Sequence, residues 1–240
     1  MVRLYVQQSL TPGEEIELPP NPAAHVKARR LSSGDAVTLF TGEGGEYPSL
    51  LTSVQRRQIT AQVGDHQPVE RELPYPVMVL QAVIKGERMD TAVEKATELG
   101  ASAIIPTLTQ RCVVRLDDDK RASKRQRHWQ AVAASACEQC GRNRLPWICK
   151  PTPLEQVWPL LEGYNSRLLL NQQAQQTLAA QLKPEATALL IGPEGGLNGS
   201  DIELAEQLGF RAAYAGARIM RSETATIAAM SRVSGYFEEL

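Results

Sequence analysis

Residues 190–197 read LIGPEGGL, an apolar run that breaks into Gly192-Pro193-Glu194-Gly195-Gly196. A buried strand that ends in such a turn and is followed by a helix marks the ligand side of an open α/β sheet. The helix is expected from Ser200-Asp201-Ile202-Glu203, read as a capping box. A phosphate cradle does not fit the turn. It lacks the Gly-Lys-Ser/Thr that brings a cation to phosphates, and Glu194 would repel them. The dinucleotide fingerprint is absent as well. What remains is a loop that offers backbone N–H and C=O groups to a neutral ring, with positive φ expected at Gly195. A plain structural turn accounts for the same residues equally well.

The second informative stretch is YAGARIMRSETATIAA, residues 214–229. Gly216, Arg218 and Arg221 stand between a strand and a helix, and Ser222 is suited to cap that helix. Two arginines in a strand-end loop beside a glycine-rich one make a site-like arrangement. Surface ion pairing with Glu223 or Glu194 is the competing account.

Around these loops the chain alternates strand and helix. VMVLQAVI (77–84) is a nearly continuous apolar run, as expected of a central strand buried on both faces. RMDTAVEKATELG places Met89, Ala92, Val93, Ala96 and Leu99 on one helical face and ends at Gly100. ASAIIP, RLLLN (167–171), ATALLIG (186–192) and FRAAYAG (210–216) supply further strands; helices are expected at 123–140 and from Ser222. The pattern predicts an α/β domain with a mostly parallel sheet covered on both sides. The first seventy residues differ: RLYV (3–6), AVTLF (36–40), EYPSLLTSV (46–54) and QITAQV (58–63) read as evenly spaced short strands of a small barrel. QPVERELPYP carries Pro68, Pro74 and Pro76, so the expected domains are 1–72 and 73–240.

The net charge of −1 limits any nucleic-acid site to a local basic patch. No stretch approaches the roughly eighteen apolar residues of a membrane span, and MVRLYVQQSL lacks a signal peptide's apolar core, so a cytoplasmic protein is expected. Cys137 and Cys140 form a Cys-x-x-Cys, but no second pair exists at similar spacing and His25, His66 and His128 do not cluster. Reduced thiols and no metal are expected.

LLIGPEGG together with GARIMRSETA resembles the two knot-forming loops of the SPOUT methyltransferases. The likeness is to the RsmE family, which methylates N3 of a uridine in small-subunit (16S) ribosomal RNA. KGERMDTAVEKATELG (85–100), QRCVV (110–114) and ACEQCGRNRLP (136–146) match in the family's order, and HVKARRLSSGD (25–35) is similar to its PUA-like barrel. The chain departs from the family's usual residues at Ala24, Arg29 and Ala217.

The resemblance implies a SPOUT trefoil-knot domain after the PUA-like domain, S-adenosylmethionine as methyl donor, and a homodimer. Three loops would hold the donor: Leu169, Leu170 and Asn171; Ile191 and Gly192 through Gly196, with Pro193, Glu194 and Gly195; and Gly216, Arg218, Ile219, Met220 and Arg221. Arg221 would stabilise the charge of a deprotonated uridine, with Glu223 the nearest carboxylate for a general base. Candidate RNA contacts are Lys27, Arg29 and Arg30 in the small domain, Arg111, Arg142, Asn143 and Arg144 in the large one, and Glu138 and Gln139 toward a base edge. KRASKRQR (120–127) reads as a solvated helix face. Two alternatives stay open: methylation at another RNA position such as a ribose hydroxyl, and an RNA-binding module without catalysis.

Overall fold

A computed structural model describes residues 1–112 and 118–238, so Val113 and Val114 of the QRCVV match lie outside the described residues. The chain divides into two compact units, residues 1–72 with 134–145, and residues 73–133 with 146–240.

The first unit contains β1 (Val2–Tyr5), β2 (Glu15–Glu17), α1 (Pro20–Ala28), β3 (Ala36–Phe40), β4 (Tyr47–Val54) and β5 (Ile59–Gln62). They form one five-stranded sheet in the order β1-β3-β4-β5-β2, with β1 parallel to β3 and the other pairs antiparallel. Leu4, Val37, Leu39, Leu51 and Ile59 make its core with Val26 of α1. Helix α1 went unread in the sequence because Pro19, Pro20 and Pro22 look like breakers. In the first turn of a helix proline removes no needed hydrogen bond, and two of the three stand there.

The division differs from the expected one in residues 134–145. Residues 134–145 join the first unit because their polar groups are bonded within it. The Tyr5 backbone N–H donates to Glu138 Oε1 at 2.9 Å, and Arg142 pairs with Glu72. Asn143 Nδ2 donates to Glu46 Oε2 at 3.1 Å and to the Val69 carbonyl at 2.6 Å.

The second unit runs β6 (Val77–Ala82), α2 (Glu87–Glu98), β7 (Ala103–Leu108), the part of α3 (Asp119–Cys140) before residue 134, β8 (Trp147–Ile148) and β9 (Thr152–Pro153). It continues with β10 (Ser166–Leu170), α4 (Leu178–Gln181), β11 (Thr187–Ile191), α5 (Gly199–Gln207), β12 (Arg211–Ala213) and α6 (Ser222–Glu238). The seven-stranded sheet is parallel throughout, in the order β12-β10-β11-β6-β7-β8, with β9 also on β7. Every residue of β6 is buried. Successive side chains go to opposite faces: Val77 and Val79 to a core shared with Met89, Val93, Met230 and Val233, and Met78 and Leu80 to one shared with Leu154 and Phe210.

The capping box of α5 is shifted from its expected place. Asn198 is the N-cap: its side chain accepts from the Asp201 N–H at 2.7 Å, and Asp201 Oδ2 accepts from the Asn198 N–H at 3.2 Å. Ser200 instead donates its hydroxyl to Asn198 Oδ1 at 2.9 Å.

Candidate active site

Strands β10 and β11 are neighbours, and β12 lies on the far side of β10, so the loops leaving their C-terminal ends converge. A cleft of about 140 Å³ opens there. The first loop contributes Leu170 and Asn171, the second Ile191, Gly192, Pro193 and Gly196, and the third Ile219 and Met220. The sequence missed Gln172, Leu197, Tyr214 and Ala215, and also Ser222 and Ala225 of α6. Nothing in their residue types marks them, because loop packing alone brings them to the wall.

Other residues expected at the donor site stand apart from the cleft wall. The Leu169 side chain is fully buried in the core with Ala188 and Leu190. Glu194 turns aside: its Oε1 accepts the Lys85 backbone N–H at 3.2 Å and lies 3.7 Å from Arg88 Nη1. Gly216 accepts from Gln172 Nε2 through its carbonyl at 2.9 Å, which ties the first loop to the third. Positive φ belongs to Gly196 (68°) and not to Gly195, which corrects the expectation for this turn. The turn is closed by the Gly196 N–H donating to the Pro193 carbonyl at 2.9 Å. A Cβ at Gly192 would come within 3.2 Å of the Leu197 nitrogen, whereas one at Gly196 would meet nothing within 4 Å. The floor beside Gly196 is therefore open.

Behind the cleft lies a buried polar network. Gln81 of β6 is 1% exposed and donates through Nε2 to the Ser222 hydroxyl and to the Ala82 carbonyl, both at 2.9 Å. Ser222 Oγ in turn donates to the Gly192 carbonyl at 2.6 Å. Thr226 closes the set, donating to Gln81 Oε1 and to the Ser222 carbonyl. Buried polar groups are costly unless bonded. These three are bonded to one another and to the loop that forms the cleft.

Arg221 is exposed at the start of α6, where its carbonyl accepts the Ala225 N–H at 2.8 Å. Among the described residues no ion pair or side-chain hydrogen bond engages Arg221 or Arg218. Pairing with Glu194 or Glu223, the competing account of these arginines, is thus not observed. Glu223 is half-buried, and its Oε2 is buried with no hydrogen-bond partner among the described residues. Such an unsatisfied carboxylate oxygen is uncommon in a folded protein. Arg111 is exposed in the same unit and donates to the Gly195 carbonyl at 2.8 Å, so it belongs to the rim of this glycine turn.

In the first unit, Lys27, Arg29 and Arg30 are exposed at the end of α1. Lys27 Nζ donates to the Arg56 carbonyl at 2.8 Å, which brings Arg56 and Arg57 of the β4–β5 turn, unread in the sequence, into the same basic patch. Arg144 is exposed and bonded to Glu70 at 3.0 Å. Arg142 and Asn143 are 3% and 0% exposed and committed to Glu72, Glu46 and Val69, so burial corrects their expected role as RNA contacts. Glu138 is half-buried. Burial pushes its carboxyl up from the usual range, partly offset by the Tyr5 N–H and by His25. The Cys137 thiol is pushed up to about 12, chiefly by burial, which makes it a poor nucleophile or redox partner. Among the described residues no three metal-ligating side chains come together.

Residues 71–234 match the RNA methyltransferase domain family. The ribosomal RNA small subunit methyltransferase E of Bacillus subtilis is 32% identical over 219 residues, covering 87% of this chain and 85% of that protein. The fold matches a protein of Legionella pneumophila solved with the bound cofactor SAM, at a TM-score of 0.93 and 33% identity over 98% of this chain and 97% of that one. It also matches the ribosomal RNA small subunit methyltransferase E of Neisseria gonorrhoeae bound to S-adenosyl methionine, at a TM-score of 0.91 and 31% identity over 99% and 98%.

Proposed function

Because this chain belongs to the RNA methyltransferase domain family, we propose that it transfers a methyl group from S-adenosylmethionine to N3 of a uridine in small-subunit (16S) ribosomal RNA. The observation that carries the reading is the cleft between the three strand-end loops, with backbone groups at Gly192 and Gly196 and with Arg221, unpaired among the described residues, between the wall residues Met220 and Ser222.

The residues present fit such a donor. Its adenosyl group carries no phosphate, and among the described residues the cleft has no lysine on its wall, while Glu194 is engaged elsewhere. Backbone groups of Ile191, Gly192 and Gly196 suit an adenine edge, and the open floor beside Gly196 suits a flat ring. The cleft's 140 Å³ is below the roughly 300–1,000 Å³ of typical ligand pockets, so the bound group would extend past the exposed Ile219. S-adenosylmethionine supplies an electrophilic methyl on a sulfonium.

Uridine N3 is a weak nucleophile until its proton leaves, and the resulting charge spreads over the flanking carbonyl oxygens. Arg221 is the guanidinium suited to hold that charge, aided by the positive N-terminus of α6. Glu223, with an unpartnered oxygen, is the candidate to receive the proton. The exposed cations Lys27, Arg29, Arg30 and Arg144 would meet RNA phosphates.

The same reading includes a trefoil knot through the loops after β11 and β12, a PUA-like barrel for the five-stranded sheet, and a cytoplasmic homodimer. Among the described residues no helix is long and apolar enough to cross a membrane. The test is to incubate the protein with labelled donor and small ribosomal subunits, digest the RNA and identify the nucleoside. Label in 3-methyluridine supports the proposal, and label in a 2′-O-methyl nucleoside or in none overturns it.

A further inference from the structure

A second and larger cavity, about 640 Å³, lies within the first unit. Its walls carry Arg3 of β1, His25 and Arg29 from α1, and Ser135, Glu138 and Gln139 from the end of α3. The volume falls in the range that holds a small organic ligand, far above that of a trapped water.

Arg3, Glu138 and His25 are held in place by their partners. Arg3 donates to Glu46 at 2.6 Å and to Asn143, and its guanidinium lies 5.0 Å from the Phe40 ring centroid. Arg3 Nε remains buried with no partner among the described residues. Glu138 uses both oxygens, one on the Tyr5 N–H and the other 3.0 Å from His25 Nδ1. A carboxylate on one ring nitrogen sets the imidazole's orientation and leaves the other nitrogen for a ligand. The His25 side chain is 47% exposed, so a ring held in this way still presents a face. Gln139, exposed beside it, offers an amide donor and acceptor together, and Ser135 adds a hydroxyl. Arg29 on the cavity wall is exposed, as are its neighbours in sequence Lys27 and Arg30.

A flat ring to stack on, an amide to read a base edge and cations placed for phosphates are what single-stranded RNA requires. We propose that this cavity takes one unstacked nucleotide of the RNA substrate, its base between His25 and Gln139 and its phosphate toward Arg29. The idea rests on the RNA-methyltransferase reading and adds a second anchoring point, in the other unit from the donor cleft. The His25–Glu138 pair is then a positioning device for recognition and not part of the chemistry.

The test uses the full chain and a single-stranded ribosomal RNA fragment carrying 4-thiouridine. Photo-crosslinks should map to peptides containing residues 25–29 or 135–139. His25→Ala and Gln139→Ala should each weaken RNA affinity at least tenfold and raise KM for ribosomal particles similarly, with kcat and donor affinity unchanged. Gln139 is exposed, so that variant keeps the test valid if His25→Ala fails to fold. Crosslinks that map elsewhere, or unchanged affinity in a folded Gln139→Ala protein, would overturn the proposal. So would uridine monophosphate binding as tightly as the RNA, which would assign the cavity to a free nucleotide. Crosslinks at this cavity without 3-methyluridine in the product would retain the cavity and reject the proposed reaction.

Discussion

The Ser222 hydroxyl donates to the Gly192 carbonyl at 2.6 Å, joining the first residue of α6 to the first residue after β11. Gln81 holds that hydroxyl from behind, so the middle of the sheet sets the shape of the cleft's glycine turn.

Removing this bond should loosen the turn before it unfolds the protein. Ser222→Ala is expected to weaken S-adenosylmethionine binding about tenfold, roughly 1.4 kcal/mol, measured by calorimetry. Gln81→Leu leaves the buried Thr226 hydroxyl one partner short, and a cost of about 1–3 kcal/mol in denaturant unfolding is expected. Donor affinity unchanged in both variants would mean that the network braces the core alone.

The two adjacent glycines should respond oppositely. Gly196 has φ of 68°, a conformation that side chains rarely adopt, so Gly196→Val should impair donor binding at least tenfold. Gly195→Ala should be tolerated, because its new Cβ would meet only Arg111, at 3.6 Å. Comparing the two affinities by calorimetry checks which glycine the turn requires.

Glu46 and Glu138 should give opposite pH signatures in unfolding. At Glu46 burial disfavours the charge, but hydrogen bonds from Arg3, Asn143 and Arg71 outweigh it and hold the carboxyl below its ordinary range. A depressed group stabilises the fold above its unfolded pKa, about 4.3, and that contribution is lost as pH falls through the folded value. Glu46→Gln should therefore destabilise at neutral pH and lose less stability on acidification. Glu138 is raised by burial, so its ionisation costs stability as pH rises from the ordinary glutamate range through its folded value. Glu138→Gln should flatten that limb. Denaturant midpoints measured against pH for both variants check the two signs.

The parallel sheet was legible because β6 and β11 are nearly continuous apolar runs and α2 has a clean helical stripe ended by Gly100. The second and third loops of the cleft stand out in the sequence through their glycines and arginines, whereas the first, ending in Leu170-Asn171, is expected only from the resemblance. Ser222 was expected only as a cap, and the bond of its hydroxyl to Gly192 joins residues thirty apart, which no local pattern encodes. Gln81 was invisible for the same reason, as one polar residue inside an apolar run. Arg142 and Asn143 looked like RNA contacts because charge and amide in sequence do not reveal burial, and their partners Glu72 and Glu46 lie 70 and 97 residues away. The pairing of His25 with Glu138 joins two elements that only the fold brings together.

The central claim is a division of labour, in which the cleft holds the donor and Arg221 serves the acceptor. Arg221 is exposed and engages no described residue through its side chain, so its removal leaves no buried partner unpaired. The direct measurement is single-turnover methylation of small ribosomal subunits by Arg221→Ala, with donor affinity measured on the same protein. A rate lower by on the order of a hundredfold, as for loss of one oxyanion donor, with donor affinity nearly unchanged, is the predicted result. Donor binding that falls in parallel with the rate would make Arg221 part of the donor site and contradict the account.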